Sequence, residues 1–272
     1  MKTSAVPVFF LVSLIFVPLA LAQQQGAARP PESAPAANTA AAAQRQADES
    51  QARTYMATKR YMEAAAVYEK LAKANPRDPS YLTLAGVAYM QTGDVRAARR
   101  WFERCVKLER RFADAYNNIG DTWYTQKNFK RALQYYQRAV ALQPGVASYH
   151  TNVGYAYFNL KMTAEAEQAF RRALLMDQFV FQRNGRTGSV VQDRSVTDKG
   201  LFAFTMAKSY CGTGDAQDCA GYLRRALDEG YQDMAQVYSD PSFAGVLSDP
   251  GIQAVLSLIP APSNQAAVPA VQ

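Results

Sequence analysis

Residues 116–144 read YNNIGDTWYTQKNFKRALQYYQRAVALQP, and the spacing inside that segment recurs along the chain at a fixed step. Ala132 is matched by Ala64, Ala98 and Ala166, and Tyr136 by Tyr68, Phe102 and Phe170, always 34 residues apart. Two further columns run in phase: Tyr55, Tyr89, Trp123 and Tyr157, and Ala52, Gly86, Gly120 and Gly154. Columns held over four repeats mark a stack of one repeated unit. Such a unit cannot bury its apolar face alone and relies on its neighbours for cover.

The spacing also gives the unit. Each glycine stands three residues before the aromatic of its first helix, which puts both on one helical face. A short break such as QTGD, residues 91–94, separates that helix from a second one, which the alanine column opens. Small residues on both helices let the two backbones approach closely, and the aromatics fill the space between one hairpin and the next.

The segment 116–144 resembles a tetratricopeptide repeat, an aromatic-x2-L-G-x2-Y pattern followed by A-x3-F-x2-A-x4-P, met here by Tyr116, Ile119, Gly120, Trp123, Ala132, Tyr136, Ala139 and Pro144. The resemblance implies an all-α, right-handed superhelical solenoid of helix-turn-helix hairpins, with repeats at 45–78, 79–112, 113–146 and 147–180. Repeat one departs from the pattern at Asp48 and Gln51, and the closing proline is replaced by Arg110 and Gln178 in repeats two and four. Tyr210, Cys219, Leu223 and Ala226 reproduce the spacing once more, but 53 residues after Tyr157. The frame therefore predicts an insertion at 181–199, FQRNGRTGSVVQDRSVTDK, and a fifth hairpin at 200–233. The insertion reads as a loop, either functional or merely tolerated. Asp240-Pro241 and Asp249-Pro250 each pair a capping acceptor with a proline suited to a first helical turn, so two short helices are expected to cap the stack over 234–259. Residues 260–272 read as a disordered tail.

The N-terminus has the layout of a cleaved secretory leader over residues 1–22: Lys2, an apolar run from Ala5 to Leu21 and the small residues Ala20 to Ala22. The run is interrupted by Pro7 and Pro18 and is marginal as a membrane span, so an uncleaved anchor is the lesser alternative. Residues 23–47 are rich in Ala, Gln and Pro, lack large apolar side chains, and read as a tether running into the first repeat. Periplasmic or secreted location follows from the leader. Export bears on Cys211 and Cys219, which flank the tight turn of the fifth hairpin: an oxidising compartment favours a bridge, and two small core thiols are the alternative. Cys105 reads as a buried thiol.

Catalytic chemistry finds little support. His150 is the sole histidine and stands where the family pattern has an aromatic, so it reads as core; no phosphate-binding loop appears, and an enzyme remains open only through the insertion. No cofactor and no metal are expected. Binding of a protein or peptide is better supported, because the resemblance implies that the first helices line a concave groove. By register its lining is Thr83, Val87 and Met90 in repeat two, Asn117, Asn118, Asp121 and Tyr124 in repeat three, and Thr151, Asn152, Tyr155 and Phe158 in repeat four, unless some of these pack between repeats. The Lys/Arg/Asn clamp by which some family members hold a terminal carboxylate is not supported, since its positions hold Thr83, Val87, Ser148 and Asn152.

A second candidate surface is the outer helix of repeat two, VRAARRWFERCVKLERR, residues 95–111. Arg96, Arg99, Arg100, Arg104, Lys107, Arg110 and Arg111 face only Glu103 and Glu109 there, in a chain of net charge +7. This basic convex face suits anionic lipid, a wall polymer or an acidic protein, or is simply a solvated helix face. Aromatics are not interleaved on it as nucleic-acid binding requires, and membrane contact is at most peripheral.

Overall fold

A computed structural model describes residues 34–182 and 196–259. The leader expected at 1–22, the tether up to residue 33, the centre of the insertion and the tail at 260–272 lie outside these residues. Eleven α-helices are present and no strand occurs among the described residues: α1 Ala34–Ala57, α2 Tyr61–Ala74, α3 Pro79–Thr92, α4 Val95–Leu108, α5 Ala113–Thr125, α6 Phe129–Leu142, α7 Ala147–Asn159, α8 Thr163–Met176, α9 Lys199–Cys211, α10 Ala216–Asp228 and α11 Pro250–Leu256. Residues from Gln44 onward form one compact unit and those before it a separate one. In the larger unit successive helices pair as antiparallel hairpins that pack in chain order, an all-α solenoid. α1 reaches back to Ala34, into the segment expected to be a tether. Its residues 39–47 are exposed, so the high helix propensity of Ala and Gln carries this extension.

The turn between the two helices of a unit is the same in repeats one, three, four and five. Lys59, Lys127, Lys161 and Gly214 adopt positive φ at 59°, 59°, 65° and 84°. The next amide then reaches back to the aromatic column: Arg60 to the Tyr55 carbonyl, Asn128 to Trp123, Met162 to Tyr157 and Asp215 to Tyr210, at 2.8, 2.9, 3.0 and 3.1 Å. The left-handed residue itself donates to the following carbonyl, as Lys127 does to Tyr124 at 2.8 Å. Paired bonds of this kind satisfy the last carbonyls of a helix. In repeat two Gly93 takes the left-handed place, at φ 86°. Asp94, Asn128 and Asp215 then cap the second helix through side-chain oxygens that accept from Ala97, Arg131 and Asp218 amides.

The glycine column is explained by contact. A Cβ at Gly86, Gly120 or Gly154 would come within 3.0 Å of the ring of Phe102, Tyr136 or Phe170 respectively. These aromatics are almost fully buried and lie flush against the glycine backbone. In the fifth unit the equivalent pair is Ala207 and Leu223, both fully buried, so a slightly larger residue on one helix meets a smaller one on the other.

The insertion is held at both ends. Phe181 is buried with its ring 5.6 Å from Phe170 and 6.2 Å from Tyr210, and Val196 is buried as well. Past the fifth hairpin comes a 3-10 turn that was not expected, Met234–Tyr238, and the first expected cap helix, opened by Asp240-Pro241, is instead a second 3-10 turn, Pro241–Phe243, followed by irregular turns. The buried residues there, Met234 with Val237 and Phe243 with Val246, recur every third position, which is the 3-10 period. α11 is the second cap helix. Asp249 caps it by accepting from the amides of Gly251 and Ile252.

Candidate partner-binding surfaces

Of the eleven positions expected to line the groove, Thr83, Val87 and Met90 on α3 and Asn118 and Asp121 on α5 keep part of their surface accessible. Asn117, Tyr124, Thr151, Asn152, Tyr155 and Phe158 do not: they are buried between units and are corrected from groove lining to packing. The cause is the neighbour each one meets. Phe202 of α9 stacks on Tyr155 with centroids 5.6 Å apart and meets Phe158 edge-on at 5.2 Å. Asn152 donates to Asn117 Oδ1 at 2.7 Å, and Asn159 donates to the Tyr124 hydroxyl at 2.7 Å, each across one repeat. The Thr151 hydroxyl turns back to the Ala147 carbonyl at 3.2 Å. The accessible groove is therefore concentrated on repeats two and three.

Tyrosine-to-carboxylate bonds join many of the helices. The hydroxyls of Tyr81, Tyr89, Tyr136 and Tyr149 donate to Glu49, Glu69, Asp121 and Asp114 at 2.5, 2.6, 2.8 and 2.5 Å. Burial, then the bond to Glu49, pushes the Tyr81 phenol up to about 12. In Tyr89 the bond to Glu69 is the larger cause and burial the second, and the result is again about 12. Tyr149 moves further in the same direction, through burial and Asp114. These phenols stay neutral donors across the physiological range.

On α4 and the turn after it, Arg96, Arg100, Arg104, Lys107, Arg110 and Arg111 are exposed. Arg99 departs from that stripe. Its guanidinium lies 3.6 Å from the centroid of the Trp123 ring, which also carries Arg131 at 4.4 Å, and its Nη2 donates to Gln126. Arg104 covers Trp101 at 4.3 Å. Arg99 is thus a bridge between repeats.

A second charged bridge was not singled out in the sequence. Glu167 of α8 is buried and pairs with Arg171 and with Lys208 of α9, and Lys208 also reaches Asp240 beyond the fifth hairpin, both Lys208 contacts at 2.8 Å. The Ser242 hydroxyl donates to Glu167 at 3.1 Å. Burial alone would lower the Lys208 ammonium, but its bonds to Asp240 and Glu167 outweigh it and hold it above the ordinary lysine value. Burial likewise raises Asp240, and the bonds from Lys208 and Ser242 more than reverse this. A signal for both bridges existed: the residue after each column alanine is Ala65, Arg99, Leu133 and Glu167, so two charges interrupt an otherwise apolar register.

Cys211 and Cys219 are joined as a disulfide across the fifth turn, with Cα atoms 5.2 Å apart. Cys105 is buried, burial pushes its thiol up, and the Thr83 hydroxyl donates to its sulfur at 3.3 Å. His150 is buried with Nε2 2.8 Å from the Pro144 carbonyl. Among the described residues no group of three or more His, Cys, Asp or Glu side chains is placed to hold a metal ion, and no helix is long and apolar enough to cross a membrane.

Stacked helical hairpins whose first helices share a face define a helical-repeat scaffold, a fold suited to protein partners. The sequence matches the tetratricopeptide repeat family over residues 49–110, 83–147 and 126–179, and the chain belongs to that family. Similar folds include PilF of Pseudomonas aeruginosa, at 16% identity over 79% of this chain and 97% of that chain with a TM-score of 0.50. TTC0263 of Thermus thermophilus aligns at 19% identity over 72% of this chain and 97% of that one, TM-score 0.47. MamA of Desulfovibrio magneticus RS-1 aligns at 17% identity over 68% and 94%, TM-score 0.48. At these identities the likeness is one of fold alone. No protein of curated function matches the sequence.

Proposed function

We propose that this chain is a non-catalytic scaffold of the periplasm or cell envelope that holds a segment of a partner protein against the first helices of repeats two and three. The observation that carries this reading is the accessible set Thr83, Val87, Met90, Asn118 and Asp121, which places apolar and amide-bonding side chains side by side on α3 and α5. Val87 and Met90 suit partner side chains, and Asn118 suits an extended backbone. The leader-like N-terminus and the bridged cysteine pair support an exported location. A photoreactive residue at Met90 or Asn118 tests the reading in cells, with the same residue at exposed Lys73 as control. A discrete protein adduct from the groove positions alone supports it; adducts shared equally with Lys73 refute it.

The six exposed cations of α4 and its following turn favour a second reading, attachment to an anionic lipid or wall polymer. Binding of that kind collapses between low and moderate salt, whereas binding through Val87 and Met90 does not.

A further inference from the structure

One part of the basic face is recessed. Arg96, Arg99, Arg100 and Glu103 of α4 form, with Trp123 and Gln126 of the next hairpin, a surface cleft of about 400 Å3 that shares no residue with the groove. Arg131 lies over the same indole, so two guanidinium groups stack on Trp123, and those of Arg96 and Arg100 line the adjoining cleft. Among the described residues none of the four is within ion-pair distance of a carboxylate, in contrast to Arg60, Arg171 and Arg224. Two donors inside the cluster are also orphaned: Arg99 Nε and Trp123 Nε1 are both buried without an acceptor. Leaving buried donors unpaired costs free energy, and like charges crowded together cost more when, as here, Glu103 is the one carboxylate lining the cleft. Burial pushes the Arg99 guanidinium below its usual value, with the Glu103 charge opposing the shift and the Arg131 and Arg96 charges adding to it. An anion in the cleft relieves the charge crowding directly, and the Arg99 donor once that side chain turns towards it.

We infer that this cleft receives an acidic side chain, Asp or Glu, presented by a peptide segment of a partner protein. A planar carboxylate matches the guanidinium fork, and Arg96 and Arg100 are exposed to meet it first. Arg99 reaches it by turning on the indole face, which exchanges its bond to Gln126 for a charged one and frees Nε to donate. Glu103 and Gln126 supply acceptors for the amides that flank a side-chain acid in a peptide. Glu103 disfavours a doubly charged phosphate more than a singly charged carboxylate.

The test uses the full chain labelled with 15N at tryptophan, whose two indoles, Trp101 and Trp123, give separate signals. The probes are N-acetyl-tetraglutamate amide, its tetraglutamine counterpart, inorganic phosphate and phosphatidylglycerol vesicles. The glutamate peptide should shift the Trp123 indole signal saturably and leave Trp101 in place, and the glutamine peptide should shift neither. Arg99→Gln with Arg131→Gln should weaken peptide binding by about tenfold or more, as expected for lost charge-assisted bonds. The charge-matched pair Lys73→Gln with Arg172→Gln should weaken it by less than about threefold, the screened effect of distant charge. Because Arg99→Gln also uncovers Trp123, exposed Arg100→Gln serves as a second variant and should weaken binding without altering the free spectrum. The inference is overturned if the glutamate peptide gives no saturable shift, if phosphate or vesicles shift Trp123 and the peptide does not, or if both variant pairs lose binding equally.

Discussion

Gly120→Ala isolates the close approach on which each hairpin depends. In an open helical position the change from glycine to alanine stabilises by about 1 kcal/mol, through backbone entropy. Gly221, exposed on α10 with nothing within 4 Å of where an added methyl group would sit, is such a position and serves as the internal control. At Gly120 the same methyl group comes within 3.0 Å of the fully buried Tyr136 ring. That ring cannot retreat freely, because its hydroxyl donates to Asp121 at 2.8 Å. Overpacking of this kind costs roughly 1 to 3 kcal/mol. Gly120→Ala should therefore end roughly 1 to 3 kcal/mol less stable than Gly221→Ala, a difference set by packing alone. Urea denaturation followed by circular dichroism reads it as a shift in midpoint at unchanged slope. The fifth unit indicates the rescue, since Ala207 and Leu223 hold the same two places. Gly120→Ala combined with Tyr136→Leu should exceed the sum of the single changes by about 1 kcal/mol in the stabilising direction, as contacting residues couple. If Gly120→Ala stabilises as much as Gly221→Ala, the ring yields freely and the close approach is not a constraint.

Four further outcomes are expected. Lys127→Gly or Lys161→Gly should raise stability by about 0.5 to 1 kcal/mol, since relief of a left-handed residue, roughly 1 to 2 kcal/mol, exceeds the added freedom of the unfolded chain; a loss in the same urea assay refutes this. Reduction of the Cys211–Cys219 bridge should cost about 2.5 kcal/mol by loop-closure entropy, read as a lower melting temperature in reductant that a Cys211→Ala, Cys219→Ala variant reproduces. Asp240 titrates below the ordinary 3.8 when folded, so its contribution is complete above that value and is lost as pH falls through the lower folded one. Urea midpoints between pH 6 and pH 2 should show this loss, reduced in Asp240→Asn. Tyr81, raised to about 12, contributes below the ordinary 10.0 and loses its contribution as pH climbs towards 12. Tyr81→Phe should remove that part of the alkaline decline.

The repeated hairpin was legible because a period of 34 residues repeats each constraint: glycine against ring three times, with Ala52 in the first repeat, and aromatic at the end of the first helix and alanine at the start of the second four times each. The fifth unit was legible through the same spacing despite the 53-residue step. The left-handed turn was not, since Lys59, Lys127 and Lys161 carry no mark of positive φ; only Gly93 and Gly214 in that register hint at it. The candidate groove was legible only as a register of positions. Whether a position faces outward depends on what the next unit supplies, and Phe202 covers Tyr155 and Phe158 from a hairpin that follows the insertion. The first cap segment was misread because Asp-Pro marks where a helical turn starts, and nothing in that dipeptide sets how many turns follow.

The insertion has one more consequence. Phe181 and Val196 are fastened into the core on either side of it, and α9 is held to α8 by packed rings and by the Glu167–Lys208 pair. Continuity of the stack across this point is thus carried by side-chain contact as well as by the covalent chain. Repeats four and five are therefore expected to remain docked when the polypeptide is cut, lengthened or grafted between Phe181 and Val196.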